Sequence, residues 1–244
     1  MNNNYDNTQY VLADEGGLHR YIAKVFGWMF VGLLVIALTA YAVVIGITTS
    51  PAFAQTIASI MPGIFVLILL QVVLVGYITT RIQKLQTSTA KLLYLVYAIS
   101  NGFAFGIIAL AYYGSADILV TAFGITAVSF GVMSIYGLTT KQDLTRVGNL
   151  FFMALLGLIV VSIVNIFLRN NMMEFIICIV GLAIFLGLTA YHTSQIKNYY
   201  YQTAATGDVH LANNLAIIGA LSLYLSFINI FMFILRLIGL GGRR

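Results

Sequence analysis

The stretch LSLYLSFINIFMFILRLIG, Leu221 to Gly239, is apolar except at Ser222, Ser226, Asn229 and Arg236. These four are separated by 4, 3 and 7 positions, so on a helix they share one face. Hydroxyl, amide and guanidinium groups on such a stripe have three uses: to bond a neighbouring helix, to meet a lipid headgroup, or to wall a path for an ion. Bonding across helices is the more frequent role of Ser and Asn, and Arg236, one turn from the helix end, is placed to snorkel to the interface. His192 closes another apolar run. Its imidazole changes charge in the physiological range and so reads as a pH switch, or else as an interfacial side chain touching headgroups or a carbonyl. Cys178 reads as a small apolar filler. Asp143, in TTKQDLTR, reads as a cap for the helix after it.

Other chemistry has no sequence support. The chain lacks a phosphate-binding G-x-x-x-x-G-K-[ST] loop, an H-E-x-x-H zinc pair, a Cys/His cluster and a G-x-S-x-G elbow. His19, His192 and His210 are scattered, so no metal site is expected. Of the 7 acids, five lie in the tail or loops, and Asp117 and Glu174 stand near helix starts, where the dipole favours negative charge. The expectation is a protein that is not an enzyme and carries no cofactor.

The elements that position these residues follow from composition. The chain is 61% hydrophobic and 8% charged, with a mean hydropathy of +0.97, whereas soluble domains are about 25% charged. Seven apolar runs follow: Phe26–Thr48, Ile60–Thr80, Leu92–Tyr113, Asp117–Leu138, Val147–Leu168, Met172–His192 and Leu215–Ile238. Each approaches the ~20 residues a helix needs to cross a ~30 Å hydrocarbon core. The fold class is therefore all-α integral membrane, a bundle of seven transmembrane helices. Residues 1–24 read as a loosely ordered polar cytoplasmic tail, 25–240 as the membrane domain and 241–244 as a short basic C-terminus. The longest loop is expected at Thr193–Asn214, with Tyr199, Tyr200 and Tyr201 in the aromatic belt.

Basic residues give the orientation. Arg20, Lys24, Arg81, Lys84, Lys91, Lys141, Arg146 and Lys197 fall on the side of the tail, and Arg169, Arg236, Arg243 and Arg244 on the other. The positive-inside rule places the N-terminus in the cytoplasm of a cell with this protein in its inner (plasma) membrane. The net charge of +5 is thus a membrane signal, and no nucleic-acid partner is expected. Gly102 and Gly106 form a GxxxG that reads as internal helix packing. The phrases SIVNIF, from Ser162, and SFINIF, from Ser226, echo one another as a repeat would, or as two helices each bonding a neighbour.

The end of the chain, GLTAYHTSQIKNYYY followed by GALSLYLSFINIFMFILRLIG, resembles the closing two helices of the Bax inhibitor-1 family, which includes the bacterial YccA-like proteins. The segment Thr139–Leu158 resembles the family's connection between its fourth and fifth helices, and the likeness extends over all seven runs. The resemblance implies that the last helix is central. It also implies a pH-dependent calcium leak gated by two aspartates that share a proton, with an arginine at the end of the second helix. Arg81 matches that arginine, but the aspartate positions carry His192, in Tyr191-His192-Thr193, and Ser226, in Tyr224-Leu225-Ser226-Phe227. Calcium takes 6–8 oxygen ligands, so a site built on these two side chains should be weak or absent. The implied partners are the lipid bilayer, calcium or protons, and, for YccA-like members, a membrane-bound AAA protease. The functions to weigh are a leak with His192, Ser226 and Arg81 at its gate, a non-conducting regulator, and a small-solute transporter.

Overall fold

A computed structural model of the chain describes residues 15–82, 84–110, 112 and 116–241. All regular structure among them is helical: α1 (Glu15–Thr49), α2 (Pro51–Ile60), a 3-10 turn (Met61–Gly63), α3 (Ile64–Arg81), α4 (Thr87–Leu110), α5 (Ala116–Thr139), α6 (Thr145–Leu168), α7 (Asn171–Thr206) and α8 (Val209–Gly241). Six of these helices are long and apolar enough to cross a membrane. A seventh span results if residues 51–63 and 66–81, bent by 68°, are one crossing. The break follows the 3-10 turn Met61–Gly63, where proline lacks the N–H that would continue the helix and glycine weakens it. The second apolar run is therefore not one straight helix starting at Ile60, because Pro51 opens a helix nine residues earlier with Ser50 as its cap.

The chain divides into two compact units, Met1–Gly114 with Tyr199–Leu221, and Ser115–Asn198 with Ser222–Arg244. In the first, α1 packs against α4. A Cβ on Gly102 would lie 2.5 Å from Thr39 Cβ and 2.9 Å from the Ile36 carbonyl oxygen, and one on Gly106 2.7 Å from Val43 Cβ. The GxxxG is an internal seam, as its residues imply. Across α3 and α4, the Gln71 amide donates to the Ser100 hydroxyl at 2.9 Å.

In the second unit small residues on α5, α6 and α7 admit close approach. Gly137 faces the Ala190 backbone, Gly148 the Tyr191 ring and Gly187 the Phe151 ring. The Phe227 ring stands edge-on to Phe123 and Phe130, with centroids 5.7 and 5.4 Å away. Burial is uneven between helices: 72% of the most apolar stretch of α8 is buried, against 6% in α6. Met153 and Phe167 on α6 are largely exposed, as side chains facing lipid tails would be.

Two boundaries differ from the sequence expectation. Residues 15–24 belong to α1, so the polar tail is helical where it is described, while residues 1–14 and 242–244 lie outside the described residues. The loop expected at Thr193–Asn214 is helix except at Gly207 and Asp208. The cause is a tight pair of caps. Gly207 adopts φ +66° and donates to the Thr203 carbonyl at 3.0 Å, ending α7. Asp208 then accepts from the Leu211 N–H at 2.9 Å, starting α8.

Candidate functional site

His192, Ser222, Ser226, Asn229 and Arg236 all belong to the second unit, and Arg81 to the first. His192 is half-buried and lies well inside α7, which continues to Thr206. It does not stand at a helix end, because the polar residues after it remain helical. A Cβ on Gly137 would be 3.0 Å from both C and Cα of Ala190, and one on Gly148 2.6 Å from Tyr191 Cγ. The imidazole thus follows directly on a segment of α7 that makes close contacts with α5 and α6.

On α8, Ser226 is 1% exposed, Ser222 and Asn229 are half-buried and Arg236 is exposed. The Asn229 amide donates to the Leu225 carbonyl of its own helix at 2.8 Å, so this donor is spent along α8 and not across to a neighbour. Ser162 does the same on α6, toward Leu158 at 2.7 Å. The echoed phrases occupy different surroundings, since Phe167 is 81% exposed and Phe231 is half-buried. They support no shared site.

The unit contains further buried polar groups. Thr189 and Thr193 are fully buried, with hydroxyls donating to Phe185 and Thr189 carbonyls at 2.7 Å each. Ser134, one turn before Gly137 on α5, is 4% exposed, and its hydroxyl has no hydrogen-bond partner among the described residues. Among the described residues no group of three His, Cys, Asp or Glu side chains could hold a metal ion.

One lysine, one acid and one asparagine brace the helix ends. The Lys197 ammonium donates to the Leu138 and Thr140 carbonyls at 2.8 and 3.2 Å, capping the C-terminus of α5. Asp143 accepts from the Thr145 N–H at 2.9 Å, the capping role its position implies. The Thr145 hydroxyl and N–H, helped by the nearby Arg146 charge, hold its carboxyl below the usual carboxylate range. In the first unit Asn214 is fully buried at the start of α8. Its amide donates to the Ile82 and Leu85 carbonyls at 2.8 Å each and accepts from the Thr87 hydroxyl at 2.8 Å. One side chain satisfies the turn that follows Arg81, which is itself exposed at the end of α3.

Residues 18–243 match the family described as Inhibitor of apoptosis-promoting Bax1. The chain belongs to the Bax inhibitor-1 family. It is similar to the inner membrane protein YbhL of Escherichia coli, 36% identical over 236 residues that make up 94% of this chain and 95% of that protein. It is also similar to an uncharacterized protein of Borreliella burgdorferi, 38% identical over 221 residues, 91% of this chain and 92% of that one. An uncharacterized membrane protein of Streptococcus pyogenes is 32% identical over 237 residues, 96% and 98% of the two chains. This Bax inhibitor-1 family chain is a multi-pass membrane protein.

Within the family fold, Asn214, Lys197 and Ser134 carry structural consequences that the sequence reading passed over. The paired Asn213–Asn214 ahead of an apolar run was the available signal for the first. Nothing in the local sequence of Ser134 marks it.

Proposed function

We propose that this protein is a pH-responsive cation leak of the inner membrane, not an enzyme, with seven spans, a central last helix and a cytoplasmic N-terminus. His192 is the titrating group of its gate, Ser226 stands at the second aspartate position of the family, and Arg81 matches the family's arginine in sequence. The observation that carries this reading is the placement of His192. A half-buried imidazole follows a closely packed segment of α7, inside a unit that also buries Thr189, Thr193, Ser226 and the Ser134 hydroxyl, which has no hydrogen-bond partner among the described residues. Ionisable groups inside a membrane bundle are costly and mark ion pathways or switches. Protonation would add a positive charge that repels a passing cation, so the leak should fall on acidification.

The ion is read as a proton or a monovalent cation in preference to calcium, because carboxylates are missing at the two gate positions. A second reading, a non-conducting protein that binds and modulates a membrane-bound AAA protease, is favoured by a different observation. Ser226 is sealed beside Phe227, whose ring is engaged by two α5 phenylalanines, and such packing opposes a water-filled path at that level. Cation flux from proteoliposomes of the purified protein, between pH 5 and 8, separates the two. Flux that rises with pH supports the leak; silence at every pH, with a stoichiometric protease recovered from membranes, supports the regulator.

A further inference from the structure

A cleft of 670 Å³ opens in the first unit, lined by Gly17, Arg20, Tyr21 and Lys24 of α1, and by Tyr200, Thr203 and Asp208 among residues at the end of α7 and the start of α8. Its volume is that of a small-molecule site. We propose that this cleft binds a phosphate-bearing ligand, with Arg20 and Lys24 on the phosphate oxygens and the Tyr21 hydroxyl as a further donor. The leak reading plays no part in this inference.

Arg20 and Lys24 are four residues apart on α1, so they share a face on which like charges repel. Lys91 adds to this field, close enough to repel the Lys24 charge, and its ammonium stands 5.2 Å over the Trp28 ring. The Lys24 ammonium donates to the Asn213 Oδ1, which fixes it in place. A bound dianion would relieve the repulsion that holding these cations together creates.

Tyr21 is the second, independent observation. It is 8% exposed, lines the cleft, and its enclosed hydroxyl has no hydrogen-bond partner among the described residues. A buried phenol without a partner is uncommon and calls for an acceptor. Its ring is held against that of Tyr200, with centroids 5.8 Å apart. At Gly17 any Cβ would collide with the Tyr200 hydroxyl, so glycine keeps this wall closed. The acid in the cleft, Asp208, already accepts from the Leu211 N–H at 2.9 Å, and its charge is balanced by the positive end of α8. Small walls at Gly17, Ala204, Gly207 and Ala212 leave room for the glycerol or alkyl part of an ester.

The test uses the one tryptophan, Trp28, a single turn beyond Lys24. Full-length protein in detergent is titrated with dihexanoyl phosphatidic acid, with inorganic phosphate, and with dihexanoyl glycerol as the uncharged control, reading Trp28 fluorescence. The expected result is a saturable change with phosphatidic acid or inorganic phosphate and none with the glycerol. Saturation by the lipid alone makes a lipid headgroup the source, and saturation by inorganic phosphate makes a soluble phosphate ester the source. The variant carrying Arg20→Gln and Lys24→Gln should bind at least about tenfold more weakly. Tyr21→Phe, which preserves the ring contact with Tyr200, should bind about fivefold more weakly. No saturable change with either phosphate, equal binding of the glycerol, or Tyr21→Phe binding as the wild type does would overturn the proposal.

Discussion

Replacing Asn214 by alanine removes three hydrogen bonds of 2.8 Å that tie the start of α8 to the turn after α3. Neutral bonds of this kind contribute about 0.6–1.5 kcal/mol each, so the loss of three should come to about 2–4.5 kcal/mol. The site is fully buried, which keeps water from replacing the lost donors and favours the upper end. Asn214→Asp sharpens the test. Aspartate keeps the acceptor for Thr87 but turns the NH2 group that donates both other bonds into one oxygen facing the Ile82 and Leu85 carbonyls, so it should be less stable than alanine. Both variants can be followed by denaturant titration in mixed micelles with Trp28 as reporter, since Trp28 lies in the same unit. A loss under about 0.5 kcal/mol for Asn214→Ala, or an aspartate variant as stable as the wild type, would refute the reasoning.

Other substitutions probe other contacts. Gly106→Leu puts a branched chain where a Cβ already lies 2.7 Å from Val43 Cβ; overpacking of this size costs about 1–3 kcal/mol or more, and the melting temperature should drop where Gly124→Leu, with open space around it, changes little. Gly207→Ala forces a side chain onto φ +66° and should cost about 1–2 kcal/mol, read in the same titration. Lys197→Met uncaps the Leu138 and Thr140 carbonyls and should cost about 1–2 kcal/mol. Asp143 has a depressed carboxyl pKa, so its stabilisation is complete above the unfolded value of about 3.9 and is lost as pH falls through the lower folded value. The stability difference between wild type and Asp143→Ala should therefore be constant at neutral pH and close only at strongly acid pH.

The all-helical, membrane-spanning character was legible because a ~20-residue apolar window is set by bilayer thickness. That same ruler hid what the helices do beyond the bilayer. The polar run after His192 keeps α7 going to Thr206, so a residue expected at a helix end stands in a helix interior. The Gly102–Gly106 seam was readable as packing, but its partner residues Ile36, Thr39 and Val43 were not, since close approach is a property of two segments together. The stripe of Ser222, Ser226, Asn229 and Arg236 was correctly placed on one helix, yet the Asn229 donor serves its own Leu225 carbonyl. Asn214 escaped notice because its partners are backbone carbonyls more than 120 positions away.

The central claim, that His192 sets the pH response of a cation leak, is tested most directly by cation flux from proteoliposomes containing His192→Gln, a permanently neutral side chain that keeps a hydrogen-bonding amide. The account predicts that wild-type flux falls between pH 8 and pH 5 while His192→Gln stays at the high-pH level throughout. A wild type without flux at any pH, or a His192→Gln variant that closes on acidification as the wild type does, would contradict it.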